Sequence, residues 1–156
     1  MDRPVKPDDD WKREPMTTHE RLRKFETNQW YKGTQQLNSQ LCMVVKTGDY
    51  LAIRGQTGHD LNGEFHGMGD PAEQTEQAFR NLAVLMGEAG AVKEDICKIK
   101  IWVTDRAHLE PVMRVIGKHM QGIPVTTSEV IISGLARAHM DMEIDIYAVI
   151  DRDVPR

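Results

Sequence analysis

Long apolar runs are missing from this chain, and so is any surplus of positive charge. No stretch approaches the roughly 20 apolar residues that span a bilayer, so no membrane association is expected. Lysine and arginine number 20 against 24 aspartates and glutamates, a formal net charge of −4. Nucleic acids and anionic membrane surfaces both need a concentrated basic patch, so neither is an expected partner. Cysteine is scarce: Cys42 and Cys97 lie inside apparent strands with no metal-type spacing and read as small buried thiols. They call for no oxidising compartment, and the opening MDRPVKPDDDWKREP has charges and prolines where a secretory leader has an apolar core. A cytoplasmic location is the expectation. The six histidines (19, 59, 66, 108, 119 and 139) form no HExxH or other ligand spacing, so no metal is expected. The glycine-rich stretch 55–69 lacks the Gly-Lys-Ser/Thr ending of a phosphate loop.

What is present is the pattern of one α+β domain, of a length that supports a two-layer core. Residues 1–27 mix acids, bases and prolines without apolar periodicity, so residues 1–35 read as a polar extension and 36–152 as the domain. Trp11 and Phe25 are the large handles by which such an arm docks on a surface. Strands are expected at 41–45 and 50–54, joined by a tight turn at Gly48–Asp49. A helix starts at Asp70 (N-cap) and Pro71, carries Phe79, Leu82, Ala83, Met86 and Ala89 on one stripe, and ends at Gly90. A strand at 96–104 puts Cys97, Ile99, Ile101 and Val103 on one side and Lys98, Lys100 and Trp102 on the other. A second helix from about Asp105 buries Leu109, Val112, Ile116 and Met120.

Residues 123–150 read as a closing hairpin that turns near Gly134–Arg137. In its second strand Met142, Ile144, Ile146 and Ala148 alternate with Asp141, Glu143, Asp145 and Tyr147. The polar side is costly unless it meets water or cations, and Lys98 and Lys100 are the expected neighbours of Glu143 and Asp145. Two helices on one face of a mostly antiparallel sheet leave the other face uncovered, and Trp102, Tyr147 and Val149 make that face too apolar for open water. It is expected to meet other subunits.

Five stretches in order, GDYLAIRGQTG, GDPAEQTEQAFRNLAVLMGEAG, ICKIKIWVTD, IPVTTSEVIISGLA and MEIDIYAVI, resemble the RidA (YjgF) family over roughly residues 41–150. The resemblance implies a chorismate-mutase-like sandwich assembled as a homotrimer, with ligand clefts between subunits. It also implies hydrolysis of imines or enamines, or deamination of compounds such as 2-aminomuconate, with no metal or organic cofactor. Glu143 matches the family glutamate that orients the hydrolytic water. Thr126 stands where deaminase members carry the arginine that clamps the substrate carboxylate, Arg54 replaces a small hydroxyl residue, and Met113 replaces an asparagine. The chain resembles a divergent branch without the clamp arginine.

The candidate catalytic residues are therefore Glu143, which handles water and the leaving nitrogen, and Arg54, which supplies the charge missing at Thr126. The bland alternatives are that Arg54 neutralises Glu143 or Asp145, and that Glu143 pairs with Lys98 or Lys100. Thr126, Ser128, Gln56, Tyr50 and Trp102 are the candidate substrate-binding residues. The ligand is a small C=N metabolite, and the rival function is a trimer that binds a metabolite without turning it over. His59 and His66 lie in the loop that borders the family's cleft, where contact with ligand and simple solvation both fit.

Overall fold

A computed structural model describes residues 19–32 and 36–153. Trp11 and most of the expected extension lie outside the described residues. The described chain runs β1 (Glu20–Glu26), α1 (Thr27–Trp30), β2 (Gln40–Thr47), β3 (Tyr50–Gln56), α2 (Pro71–Glu88), β4 (Ile96–Val103), α3 (Leu109–His119), β5 (Thr126–Ile131) and β6 (Met142–Val149). The strands form a single mixed sheet in the order β1-β2-β3-β6-β4-β5, parallel only between β4 and β5. This is the expected α+β architecture, mostly antiparallel with its helices on one face.

Two expectations are corrected. The final two strands do not form a hairpin, because β4 sits between them: β6 pairs with β3 and β4, and β5 pairs with β4 alone. The apolar alternation of β6 earns it the centre of the sheet, whereas β5 has only Thr127 and neighbouring half-buried groups to offer and stays at the edge. Residues 20–26, read as part of a polar arm, form edge strand β1 on β2. An edge strand needs to bury little, and here Leu22 and Phe25 alone pack on the core, which explains why no apolar period marks it.

Helix α2 forms where the caps demand. The Asp70 carboxylate accepts from the amides of Ala72 and Glu73, Pro71 supplies the first helical residue, and Gly90 takes φ +75° just past the end. Its core side is Ala78, Leu82, Leu85 and Met86 rather than Ala83, which is exposed. Beneath it lie Leu51, Ile53, Ile99, Ile101 and the β6 series, each at most 6% exposed. Burying each such side chain stabilises the fold by about 1.5–3 kcal/mol. The opposite sheet face has no helix layer among the described residues: Tyr50, Tyr147 and Val149 stand 37–47% exposed there.

Polar groups inside the helix layer position the loop above the sheet. Gln74, fully buried, donates to the carbonyl of Gly67 (2.8 Å) and to Asp141 Oδ2 (2.7 Å), and accepts from the Asp141 amide (2.9 Å). One side chain thus ties the glycine-rich loop to the start of β6. Gly67, at φ +77°, has no room for a Cβ, which would fall 2.7 Å from the Gln74 amide nitrogen. Gln74→Leu leaves buried partners unpaired and is expected to cost about 2 kcal/mol in urea unfolding; a midpoint equal to wild type contradicts this role.

Candidate functional site

Glu143 and Asp145 point to the open face because Met142, Ile144 and Ile146, at 0–1% exposed, take the core side of β6. Across the sheet Glu143 registers with Trp102, Asp145 with Lys100, and Tyr147 with Lys98. The Trp102 indole donates to Asp145 Oδ2 (2.8 Å), and the Lys100 ammonium lies 4.0 Å from the Trp102 ring centroid. Lys100 is thus the expected neighbour of Asp145, while Lys98 falls beside Tyr147, and among the described residues neither lysine makes an ion pair with Glu143 or Asp145. Trp102, a candidate substrate-binding residue, lies directly across from Glu143.

A β-bulge in β3 shapes the floor. Ile53 pairs with Ile146 and Gln56 with Ile144, so β3 spends one extra residue at 54–55. Arg54 stays toward the open face. Gln56 turns over into the helix layer, 3% exposed, donating to the Arg54 carbonyl (2.6 Å) and accepting from Asn81 (3.1 Å). The side chain of Gln56, a candidate substrate-binding residue, therefore lies in the helix layer and holds the bulge. A Cβ added to Gly55 would fall 2.1 Å from Glu143 Oε1 and 2.9 Å from Asp145 Oδ1. Only glycine lets both carboxylates lie against this backbone.

Burial and the neighbouring Asp145 charge raise the pKa of Glu143, and Arg54 opposes them only in part. A carboxyl of this kind keeps its proton into the range where ordinary glutamates have lost it. Arg54 sits within electrostatic reach, but among the described residues no ion pair joins it to Glu143 or Asp145. Its guanidinium donates instead to the Tyr31 hydroxyl (3.1 Å) and lies 5.4 Å from the Phe25 ring centroid. Simple neutralisation of the acids is thus not what this geometry provides.

The remaining candidates lie apart. Thr126 and Ser128 register with Lys98 and Lys100, so β4 separates them from β6. Two strand spacings are about 10 Å. The Thr126 hydroxyl is engaged by the Cys97 carbonyl (3.0 Å). Tyr50 pairs with Val149, six residues along β6 from Glu143, roughly 20 Å away. Cys97 is exposed rather than buried, because the register of β4 on β6 shifts between Ile96 and Lys98. Among the described residues no group of three or more His, Cys, Asp or Glu could hold a metal ion, and no helix is long and apolar enough to cross a membrane.

A second cluster escaped the sequence reading. Tyr31, Arg54, His59, Phe65, Arg137 and His139, from four different segments, converge and are all half-buried. The Arg137 guanidinium lies 4.5 Å from the Tyr31 ring centroid; His139 is 4.3 Å from Phe65 and 5.4 Å from His59, centroid to centroid. Burial, His139 and the two arginines push the His59 pKa from 6.5 to about 4. His59 is half-way placed in a loop with Thr57 Oγ1 on its Nδ1 (3.1 Å), which no local motif announces. Because the unfolded chain binds this proton at higher pH than the folded one, stability from His59 is full above pH 6.5 and is lost as pH falls toward 4. His59→Gln is expected to flatten the dependence of stability on pH across that window, read by urea titrations at stepped pH. An unchanged slope contradicts it.

The profile of the family described as Endoribonuclease L-PSP matches residues 35–150. A RutC family protein of Aquifex aeolicus (strain VF5) is 26% identical over 107 residues, 68% of this chain and 83% of its own length. Among solved structures, Rv2704 of Mycobacterium tuberculosis, described as a member of the highly conserved YjgF/YER057c/UK114 family, superposes with a TM-score of 0.68 at 23% identity, covering 85% of this chain and all of that one. Yeast Mmf1 gives a TM-score of 0.66 at 20% identity over 75% and 90% of the two chains. The edge strand β1 falls before the family match begins. With the profile spanning most of its length and the fold shared, this chain belongs to the Endoribonuclease L-PSP family, which is the RidA (YjgF) family its motifs resemble.

Proposed function

We propose that this chain is a cofactor-independent hydrolase of the deaminase type, acting on a small C=N metabolite (an imine, an enamine or a related amide). The observation that carries the reading is Glu143, a carboxyl whose pKa is raised by burial and by the neighbouring Asp145, on a sheet face that bears no helix layer among the described residues. Hydrolysis of C=N needs water to add to carbon, with its proton removed, and then needs a proton delivered to nitrogen as the C–N bond breaks and ammonia leaves. A glutamate with a raised pKa does both in turn: the carboxylate takes the proton from water, and the acid returns it to the nitrogen. Arg54 holds the anionic part of the substrate, and the Trp102–Asp145 hydrogen bond fixes the position of the second acid beside the first.

The assembly proposed is a cytoplasmic homotrimer with clefts between subunits. Exposed Tyr50, Tyr147 and Val149 on the open face support it. So does the spacing of the candidates, since Thr126, Ser128 and Tyr50 reach the cleft of Glu143 only if a sister copy presents them. A second reading, a trimer that binds a metabolite without turnover, draws on Thr126, whose hydroxyl is occupied by the Cys97 carbonyl at the position of the family's clamp. Ribonuclease activity, which the family's description names, fits poorly with a net charge of −4.

Ammonia release from freshly generated imines and from 2-aminomuconate, measured with sedimentation of the same samples, tests the proposal. Wild type is expected to release ammonia as a trimer, and Glu143→Gln to stay trimeric and lose at least about a hundredfold in rate. Equal rates in the variant contradict the role of Glu143; binding without release from any substrate favours the second reading.

A further inference from the structure

The site described above holds two carboxyls, and the proposed reaction uses only one of them. Glu143 and Asp145 stand two residues apart on β6 and so share its open face. Opposite Asp145, the bulge of β3 places Arg54 and Gly55 between the pairs Ile53–Ile146 and Gln56–Ile144. There the two side chains converge on one point of the backbone: a Cβ added to Gly55 would meet both Glu143 Oε1 and Asp145 Oδ1. The two oxygens thus lie within about 5 Å of each other, where like charges act strongly on one another. A water molecule that donates one hydrogen bond to each oxygen spans such a distance.

The two oxygens of Asp145 are not equivalent. Oδ2 accepts from the Trp102 indole at 2.8 Å, while Oδ1 is the one turned to Gly55 and Glu143. Among the described residues neither Asp145 Oδ1 nor either oxygen of Glu143 accepts a hydrogen bond or joins an ion pair. The charged and titratable groups on the face they share are Arg54 from β3, Lys98 and Lys100 from β4, and Tyr147 from β6 itself. Lys100 is drawn over the Trp102 ring, 4.0 Å from its centroid, and Arg54 donates to the Tyr31 hydroxyl at 3.1 Å. Three carboxyl oxygens in one small space are thereby left as acceptors.

Hydrolysis of C=N needs a proton acceptor for the attacking water and a proton donor for the nitrogen in the same step. One carboxyl cannot be both at once, whereas two this close favour a single shared proton, an acid beside a carboxylate. We propose that Asp145 is a second catalytic carboxyl: its Oδ1 and Glu143 Oε1 hold the hydrolytic water beside Gly55, Asp145 takes a proton from that water, and Glu143 gives one to the nitrogen. This division of labour rests on the hydrolase reading and splits between two groups the work that reading gives to Glu143. As the water oxygen bonds to carbon, the π pair of C=N moves to nitrogen, which takes the Glu143 proton. A carbinolamine, an ionised Glu143 and a protonated Asp145 result. The Asp145 proton then passes to the nitrogen, the C–N bond breaks and ammonia leaves, and the carbinolamine hydroxyl gives its proton to Glu143 as C=O forms. The pair ends as it began, with one proton on Glu143.

Ammonia release from freshly generated imines, followed against pH for wild type, Asp145→Asn and Asp145→Ala, tests this on the full chain. Sedimentation and thermal melts establish that each variant is folded and assembled as wild type. Asparagine keeps an oxygen for the Trp102 indole but cannot take a proton from water. Asp145→Asn is expected to lose at least about a hundredfold in kcat at every pH, with KM within about threefold of wild type. An Asp145 that acted only through its field on Glu143 would behave otherwise. Removing that charge lowers the Glu143 pKa, so rate would be lost on the alkaline side alone and the wild-type kcat regained as pH falls. In Asp145→Ala the space left admits formate, which should raise the rate at least about tenfold by supplying the missing acceptor; this variant is read alone if Asp145→Asn does not fold. Wild-type kcat at any pH in folded Asp145→Asn, or a rate in folded Asp145→Ala that formate does not raise, overturns the inference and leaves the hydrolase reading standing. No ammonia release by wild type from any substrate overturns that reading, and the inference with it.

Discussion

The alternation of β6 is the constraint on which the site depends. As a central strand it has a neighbour on either side, β3 and β4, so its backbone cannot shift without breaking two ladders. Four core side chains at 0–1% exposure hold it in one register, and slipping by one residue would drive Glu143 and Asp145 into the core. Glu143 and Asp145 are therefore forced together on the other face. Among the described residues neither has a lysine or arginine at ion-pair distance; the Trp102 indole and the absent side chain of Gly55 make the placement tolerable. The cost appears where it is chemically useful, as a proton retained on Glu143.

The layer behind the sheet prepares the layer in front. An extra residue in β3 would be an irregularity were Gln56 not turned inward to close it on Asn81, which also holds the His59 carbonyl at 2.7 Å. Asn81 in turn accepts from Gln77 on the same helix (2.8 Å). A run of buried amides along α2 thus sets the bulge, the loop carrying His59 and Phe65, and through Gln74 the entry to β6. Fully satisfied polar groups of this kind specify geometry more than they add stability. Arg54 and Glu143 inherit their positions from it.

Much of the fold was legible because it is written in local chemistry. The Asp70–Pro71 start of α2, the Gly48 turn and the period of two in β6 each report a backbone requirement that neighbouring residues reveal. The partnership of strands is different: β5 and β6 adjoin in sequence, and nothing near residues 132–141 tells that β4 intervenes. The inward turn of Gln56 was not legible for a related reason, since a bulge inverts the alternation from which sidedness is read, and Gly55 is its local trace. Lys100 and Asp145 were legible as neighbours because β4 and β6 keep regular register around them. Tyr31, Arg137 and His139 were not, because they stand outside the long strands and meet only when the loops fold over the sheet.

The central claim is that burial beside Asp145 raises the pKa of Glu143. A carbon-13 NMR titration of the Glu143 side-chain carboxyl measures it most directly. The account predicts a midpoint above the ordinary glutamate value of 4.5, falling when Asp145 is changed to Asn and rising further when Arg54 is changed to Ala. A midpoint at or below 4.5, indifferent to both changes, would contradict it.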